Sequence, residues 1–73
     1  MQLILIPGSS AAIQALSRTI THLTGLGRFR QAADREKDIA VIYEQDLHDL
    51  AKASESYQRA AEWYEQEEAA AYV

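Results

Sequence analysis

The sequence contains no cysteine, a single proline and three glycines, and its formal net charge is −4 at pH 7. Without cysteine the chain has neither a disulfide nor a thiolate metal site to supplement its core, and it fits a reducing compartment. At 73 residues it can form at most one domain, near the size at which a single hydrophobic core is barely sufficient.

The sequence also lacks an apolar run long enough to cross a bilayer. The run within Met1–Ile6 is far shorter than the roughly 20 residues that a spanning helix needs, and it has neither a basic flank nor a cleavage site. We therefore expect a short extended or frayed segment there, with a signal or membrane anchor as the alternative. Residues 1–10 are predicted to form an irregular N-terminal segment, and residues 11–73 a helical segment.

Charge is spread unevenly along the chain. Residues 1–37 carry five basic and two acidic side chains, whereas residues 38–73 carry two basic and nine acidic ones. The basic half could hold a patch for an acidic partner. The acidic half argues against general nucleic-acid binding.

Cap and turn residues predict three helices. Ser9 or Ser10 can cap a first helix over about 11–24, and Gly25 and Gly27 tolerate the positive φ of a helix end. A second helix is predicted from Phe29 to Asp46. Asp49 can cap a third helix that reaches about Gln66, and residues 67–73 resemble the opening turns of a fourth.

The second and third helices each carry a stripe of small and aromatic side chains. This spacing predicts an antiparallel hairpin in which alanines allow close approach, as in helical repeats, rather than a leucine-rich coiled coil. We expect Ala40, Tyr43, Ala53, Tyr57 and Ala61 to be largely buried. The two stripes are Phe29, Ala33, Glu36, Ala40, Tyr43 and Leu47, and Leu50, Ala53, Tyr57, Ala60 or Ala61, and Tyr64.

The first and third helices match in pattern at an offset of 41 residues, which is close to the period of a two-helix solenoid repeat. The predicted fold is therefore all-α, with TPR-like antiparallel helical hairpins. The chain reads as a piece of a longer α-solenoid, incomplete at both ends, and such folds build binding surfaces more often than active sites.

No set of residues indicates a catalytic or metal site. Asp46, His48 and Asp49 lie close together, but their spacing is not a known ligand pattern and a solvated turn is the default. His22 is expected to be partly buried on the first helix. A small metal-dependent enzyme that uses His22, His48 and carboxylates is kept as an alternative; otherwise no catalytic residue, metal or cofactor is predicted.

Charged residues suggest one interaction surface. Cations at the start of a helix face its positive dipole end, so their placement suggests an acidic partner, with chance placement of charge as the alternative. The candidate partner-binding residues are Arg28, Arg30, Arg35 and Lys37. Glu36 lies on the apolar stripe, where it could reach the edge or bond a tyrosine hydroxyl such as that of Tyr57, and Glu55 and Arg59 are spaced for an exposed ion pair.

Several short sequence motifs together resemble the central part of proteins of the soluble NSF attachment protein (alpha-SNAP) family. They keep their order and spacing over roughly residues 12–73. They are Leu-Gly-Arg-Phe at 26–29, Ala-Ala at 32–33, Ile-Ala-x-Ile-Tyr-Glu at 39–44, Leu-x-Asp at 47–49, Lys-Ala at 52–53, Tyr at 57 and Ala-x-x-Tyr at 61–64.

The resemblance implies a right-handed α-solenoid that acts as a non-enzymatic adaptor in vesicle-mediated transport. Its implied partners are the acidic helical bundle of a SNARE complex and the NSF ATPase, and its implied location is cytoplasmic and peripheral to membranes. Arg28 falls on a basic contact position of the family, whereas Asp34 stands where the family usually has lysine, so that Arg35 or Arg30 would have to substitute. The alternative is a TPR-like scaffold with unrelated partners.

Overall fold

The computed structural model describes residues 7–71, which form three helices. They are α1 (Pro7–Gly25), α2 (Phe29–Val41) and α3 (Leu50–Ala71), and a π-helical segment, Ile42–Asp46, continues α2. Short turns reverse the chain between them, and α2 lies between α1 and α3 and packs against both. The fold is thus the predicted all-α arrangement of helical hairpins.

Helix α1 begins earlier than the sequence predicted. It starts at Pro7, and proline suits the first helical position because its missing N–H would have no partner there. Ser9 and Ser10 therefore lie inside the helix, and both the predicted cap and the irregular assignment of residues 7–10 are wrong. The Ser9 hydroxyl instead donates a hydrogen bond to Asp46 Oδ2 at 3.0 Å. The segment predicted for residues 1–6 lies outside the described residues.

The turn after α1 ends the helix through a left-handed glycine. Gly27 has φ +76°, its N–H donates to the Thr24 carbonyl at 3.1 Å, and the Arg28 N–H donates to the Leu23 carbonyl at 2.9 Å. This pair of bonds is the Schellman arrangement, which satisfies carbonyls that the helix itself leaves open. The prediction of a positive φ is confirmed at Gly27, whereas Gly25 is the last residue of α1.

The predicted bounds of the second helix, 29–46, are confirmed, although its last turn is π-helical. Asp49 caps α3 as predicted, because its Oδ1 accepts a hydrogen bond from the Lys52 N–H at 3.1 Å. The predicted end of α3 near Gln66 is wrong. The helix continues to Ala71, since residues 67–71 are glutamate and alanine, which favour helix and contain no breaker.

The α2 half of the hairpin contact follows the predicted stripe. Ala33, Glu36 and Ala40 are buried. On the other side of α2, Ala32 and Ile39 are buried together with Ile20 of α1, and half-buried side chains surround this cluster: Ile13, Leu16, Leu23, Tyr43 and Trp63. Tyr43, predicted to be largely buried, is only half-buried.

The α3 half of the contact is rotated from the predicted stripe. Ala53 is buried as expected, but the next inward residues are Ser56 and Ala60, whereas Tyr57 is 41% exposed and Ala61 is exposed. The prediction of buried Tyr57 and Ala61 is therefore wrong.

Trp63 gives a physical reason for the rotation. Its ring stacks on Phe29 with centroids 5.8 Å apart and planes 9° apart. It also packs against the cluster of Ile20, Ala32 and Ile39. Turning the largest apolar side chain of α3 inward removes the most apolar surface from water, and it places the tyrosines at the edge of the hairpin, where their hydroxyls find partners.

Candidate partner-binding surface on helix α2

The four predicted binding residues are all exposed and lie at or near the start of α2. Arg28 directly precedes the helix, and Arg30, Arg35 and Lys37 follow within its first nine residues. The structure therefore places the four cations on α2 and its N-cap residue. All four side chains remain exposed to solvent, so their charges can reach a partner.

The four cations do not form a single strip. Residues seven apart share a helical face, whereas residues two apart are separated by about 200° around the axis. Arg28 and Arg35 therefore lie on one shoulder of α2, and Arg30 and Lys37 lie on the other. The second shoulder is the one beside α3, because Lys37 contacts Tyr64 of that helix.

Two aspartates lie between the shoulders, on the solvent side of α2. Asp38 Oδ2 is 3.0 Å from Arg35 Nε in an exposed ion pair. Asp34 is half-buried, and its Oδ1 accepts a hydrogen bond of 2.6 Å from the Tyr64 hydroxyl. Each carboxylate thus already has a partner within the chain.

A carboxylate from α3 stabilises the start of α2. Arg28 occupies the N-cap position without a side-chain capping bond, and the Arg30 N–H donates to Glu67 Oε1 at 3.3 Å. A negative charge at this end complements both the helix dipole and the neighbouring cations. Glu67 also lines a shallow groove of about 310 Å³ with Gly27, Arg28, Arg30 and Gln31.

The buried Glu36 has a different partner from the one predicted. Its Oε2 lies 3.5 Å from Arg59 Nε, whereas Arg59 was expected to pair with Glu55. Tyr57, the predicted partner of Glu36, instead donates its hydroxyl to Glu44 Oε1 at 3.1 Å. This hydrogen bond, together with some desolvation of the phenol, raises the pKa of Tyr57 above its usual value. Both interactions connect α3 to the chain of α2 and its π-helical continuation.

The histidines lie apart from this surface. His22 is exposed on α1, so its predicted partial burial is wrong. His48 lies in the α2–α3 turn with φ +53°. Within residues 7–71, no group of three histidine, aspartate or glutamate side chains is arranged to hold a metal ion.

The four cations are visible in the sequence, but the α3 side chains that contact this part of α2 are not. Tyr64 and Glu67 are separated from their α2 partners by 30 and 37 residues. The available signal was the register of the hairpin, because α3 residues near its C-terminal end must face the start of α2. The sequence interpretation instead assigned Tyr64 to the core and Glu67 to another helix.

None of the helices described between residues 7 and 71 combines the length and apolar character required of a membrane span.

Comparisons with known proteins agree on one family. Residues 7–73 match the family model described as soluble NSF attachment protein. The vesicular-fusion protein SEC17 of Coprinopsis cinerea is 63% identical over 60 residues, which is 82% of this chain and 21% of that protein. The alpha-soluble NSF attachment proteins of Saccharomyces cerevisiae and Homo sapiens are 40% identical over 60 residues and 44% identical over 57 residues.

The chain spans about one fifth of the length of these relatives. The aligned region covers 82% of the chain and 20% of the yeast protein, and 78% of the chain and 19% of the human protein. No solved structure matches the chain significantly. The family model nevertheless covers nearly every residue, and this chain belongs to the soluble NSF attachment protein family.

Proposed function

We propose that this chain is part of a non-enzymatic adaptor in vesicle fusion, and that the exposed cations of α2 contact an acidic SNARE bundle. The observation that carries the proposal is the placement of Arg28, Arg30, Arg35 and Lys37. All four are exposed on α2 or its N-cap, in a chain whose net charge is −4. Family membership supports the same role, since the relatives are named for vesicular fusion and for attachment of NSF.

The proposed contact is electrostatic in character. Charges at the rim of an interface mainly steer the encounter and set specificity, and each contributes only about 0.5–1 kcal/mol. Four such contacts amount to about 2–4 kcal/mol, which corresponds to a Kd on the order of 1 mM or weaker. Within the full-length adaptor, this surface would act together with others, and the adaptor would recruit the NSF ATPase while associated peripherally with membranes in the cytoplasm.

Two charge-reversal pairs test the surface one shoulder at a time. The first variant combines Arg28→Glu with Arg35→Glu, and the second combines Arg30→Glu with Lys37→Glu. Each pair removes two contacts, so binding to a purified, labelled SNARE complex should weaken by about 5- to 30-fold. Circular dichroism establishes that the variants remain helical.

A matched control separates position from total charge. Arg18 on α1 and Lys52 on α3 are exposed, and reversing both changes the net charge by the same amount. This control should bind as the unmodified chain does. Equal weakening by all three variants would show that only net charge matters, and absence of binding by the unmodified chain would favour a scaffold with unrelated partners.

A further inference from the structure

Two pairs of opposite charges on α2 have the same spacing but different geometry. Arg35 and Asp38 are three residues apart, and Arg35 Nε lies 3.0 Å from Asp38 Oδ2. Asp34 and Lys37 are also three residues apart, yet the ion pairs within residues 7–71 do not include them. Opposite charges at this spacing attract each other on a helix. The ion pair that this spacing favours is therefore not formed between Asp34 and Lys37.

Tyr64 of α3 contacts both residues. Its hydroxyl donates to Asp34 Oδ1 at 2.6 Å, a short bond to an ionised acceptor. Its ring lies 5.7 Å from Lys37 Nζ, within the range at which an aromatic face attracts a cation. One side chain thus holds the carboxylate through its hydroxyl and the ammonium group through its ring.

This arrangement distinguishes Arg35 from Lys37. Arg35 already pairs with Asp38, so a partner's carboxylate would have to compete with an existing ion pair. Lys37 is exposed, and a ring attracts an ammonium group without neutralising its charge. The charge of Lys37 is therefore the more available of the two.

The geometry points to Tyr64 as a positioning residue that keeps Lys37 from pairing with Asp34 and leaves its ammonium group for a carboxylate on the partner. This inference rests on the proposed function and deepens it. It identifies Lys37 as more available to a partner than Arg35, and it assigns Tyr64 a role that acts through Lys37.

A chemical-labelling experiment tests, without any partner, whether Lys37 is kept from pairing with Asp34. The chain has two lysines, so Lys52 serves as an internal reference for an amine-reactive reagent, with the products resolved by mass spectrometry. Tyr64→Phe removes the hydroxyl and frees Asp34 to pair with Lys37. The ratio of Lys37 to Lys52 labelling should fall by about two- to fivefold, as expected for a surface ion pair.

Matched variants separate positioning from a purely structural role. Tyr57→Phe removes the other hydroxyl–carboxylate bond of the hairpin, the one to Glu44, and should leave the labelling ratio unchanged. Adding Asp34→Asn to Tyr64→Phe removes the competing charge and should restore the ratio. A loss of hairpin stability would not be repaired by that second substitution.

Binding to the purified SNARE complex completes the test. Tyr64→Phe should weaken binding by about two- to fivefold, whereas Tyr57→Phe should leave binding unchanged. Adding Asp34→Asn to Tyr64→Phe should restore binding. The inference is overturned if Tyr64→Phe behaves like Tyr57→Phe, or if Asp34→Asn fails to restore labelling and binding. Absence of binding by the unmodified chain would contradict the proposed function, while the labelling ratio would still decide whether Tyr64 separates the charged pair.

Discussion

Small side chains govern the contact between α2 and α3. Ala33 and Ala40 on α2 face Ala53, Ser56 and Ala60 on α3, and all are buried. Small residues permit a close approach of the two helices, and the resulting interior has little room for additional atoms. The effect of a substitution on stability should therefore depend more on the volume of the new side chain than on its polarity.

Ala53→Leu should destabilise the chain by about 1–3 kcal/mol, because it inserts a large side chain into a packed contact. Ala61→Leu, on the exposed side of the same helix, is the matched control and should change stability by no more than about 0.5 kcal/mol. Chemical denaturation followed by circular dichroism measures both. Equal effects at the two positions would show that the buried face of α3 is incorrectly assigned.

The buried Ala60 and the exposed Ala61 show which features of a contact can be predicted from sequence. Ala60 and Ala61 both suit a close contact, and the stripe through Tyr57 and Tyr64 has the same helical spacing as the one through Ser56 and Trp63. Periodicity alone could not choose between two adjacent stripes. The choice depends on where the indole ring can stack and where the tyrosine hydroxyls can form hydrogen bonds across the hairpin. Both depend on the tertiary structure.

At the scale of elements, local signals predicted the helix ends at both turns, but not the start of α1 or the end of α3. Glycine at the first turn and the aspartate cap at the second act within a few residues, so the sequence contains them in readable form. The extension of α3 from Gln66 to Ala71 could not be predicted locally, because two glutamates followed by alanines also suit the first turn of a new helix. The chain there contains no breaker, and Glu67 is needed opposite the start of α2.

Gly27→Ala should destabilise the first turn by about 1–2 kcal/mol, since its φ of +76° is unfavourable for a residue with a Cβ atom. Gly25→Ala is the control. Gly25 is helical, an added Cβ there would meet nothing within 4 Å, and alanine favours helix, so the chain should be as stable or slightly more stable. Thermal unfolding of the two variants makes the comparison, and a larger loss at Gly25 would contradict the assigned turn.

At the scale of the whole molecule, charge separation was predictable and its fine arrangement was not. Counting residues places five of the seven cations before residue 38 and nine of the eleven carboxylates after residue 37. The same count could not show that Glu67 returns to the start of α2, or that Tyr64 holds Asp34. Those contacts join positions 30 or more residues apart, so they follow from the packing of α3 against α2 rather than from local pattern.

The central claim is that the exposed cations of α2 bind an acidic SNARE bundle by charge. Titration of the chain into a labelled SNARE complex tests it most directly when performed at about 0.01 M and about 1 M ionic strength, where the Debye length is about 30 Å and about 3 Å. We predict weak binding at low salt, with a Kd on the order of 1 mM, and no detectable binding at high salt. Equal affinity at the two ionic strengths would contradict the claim.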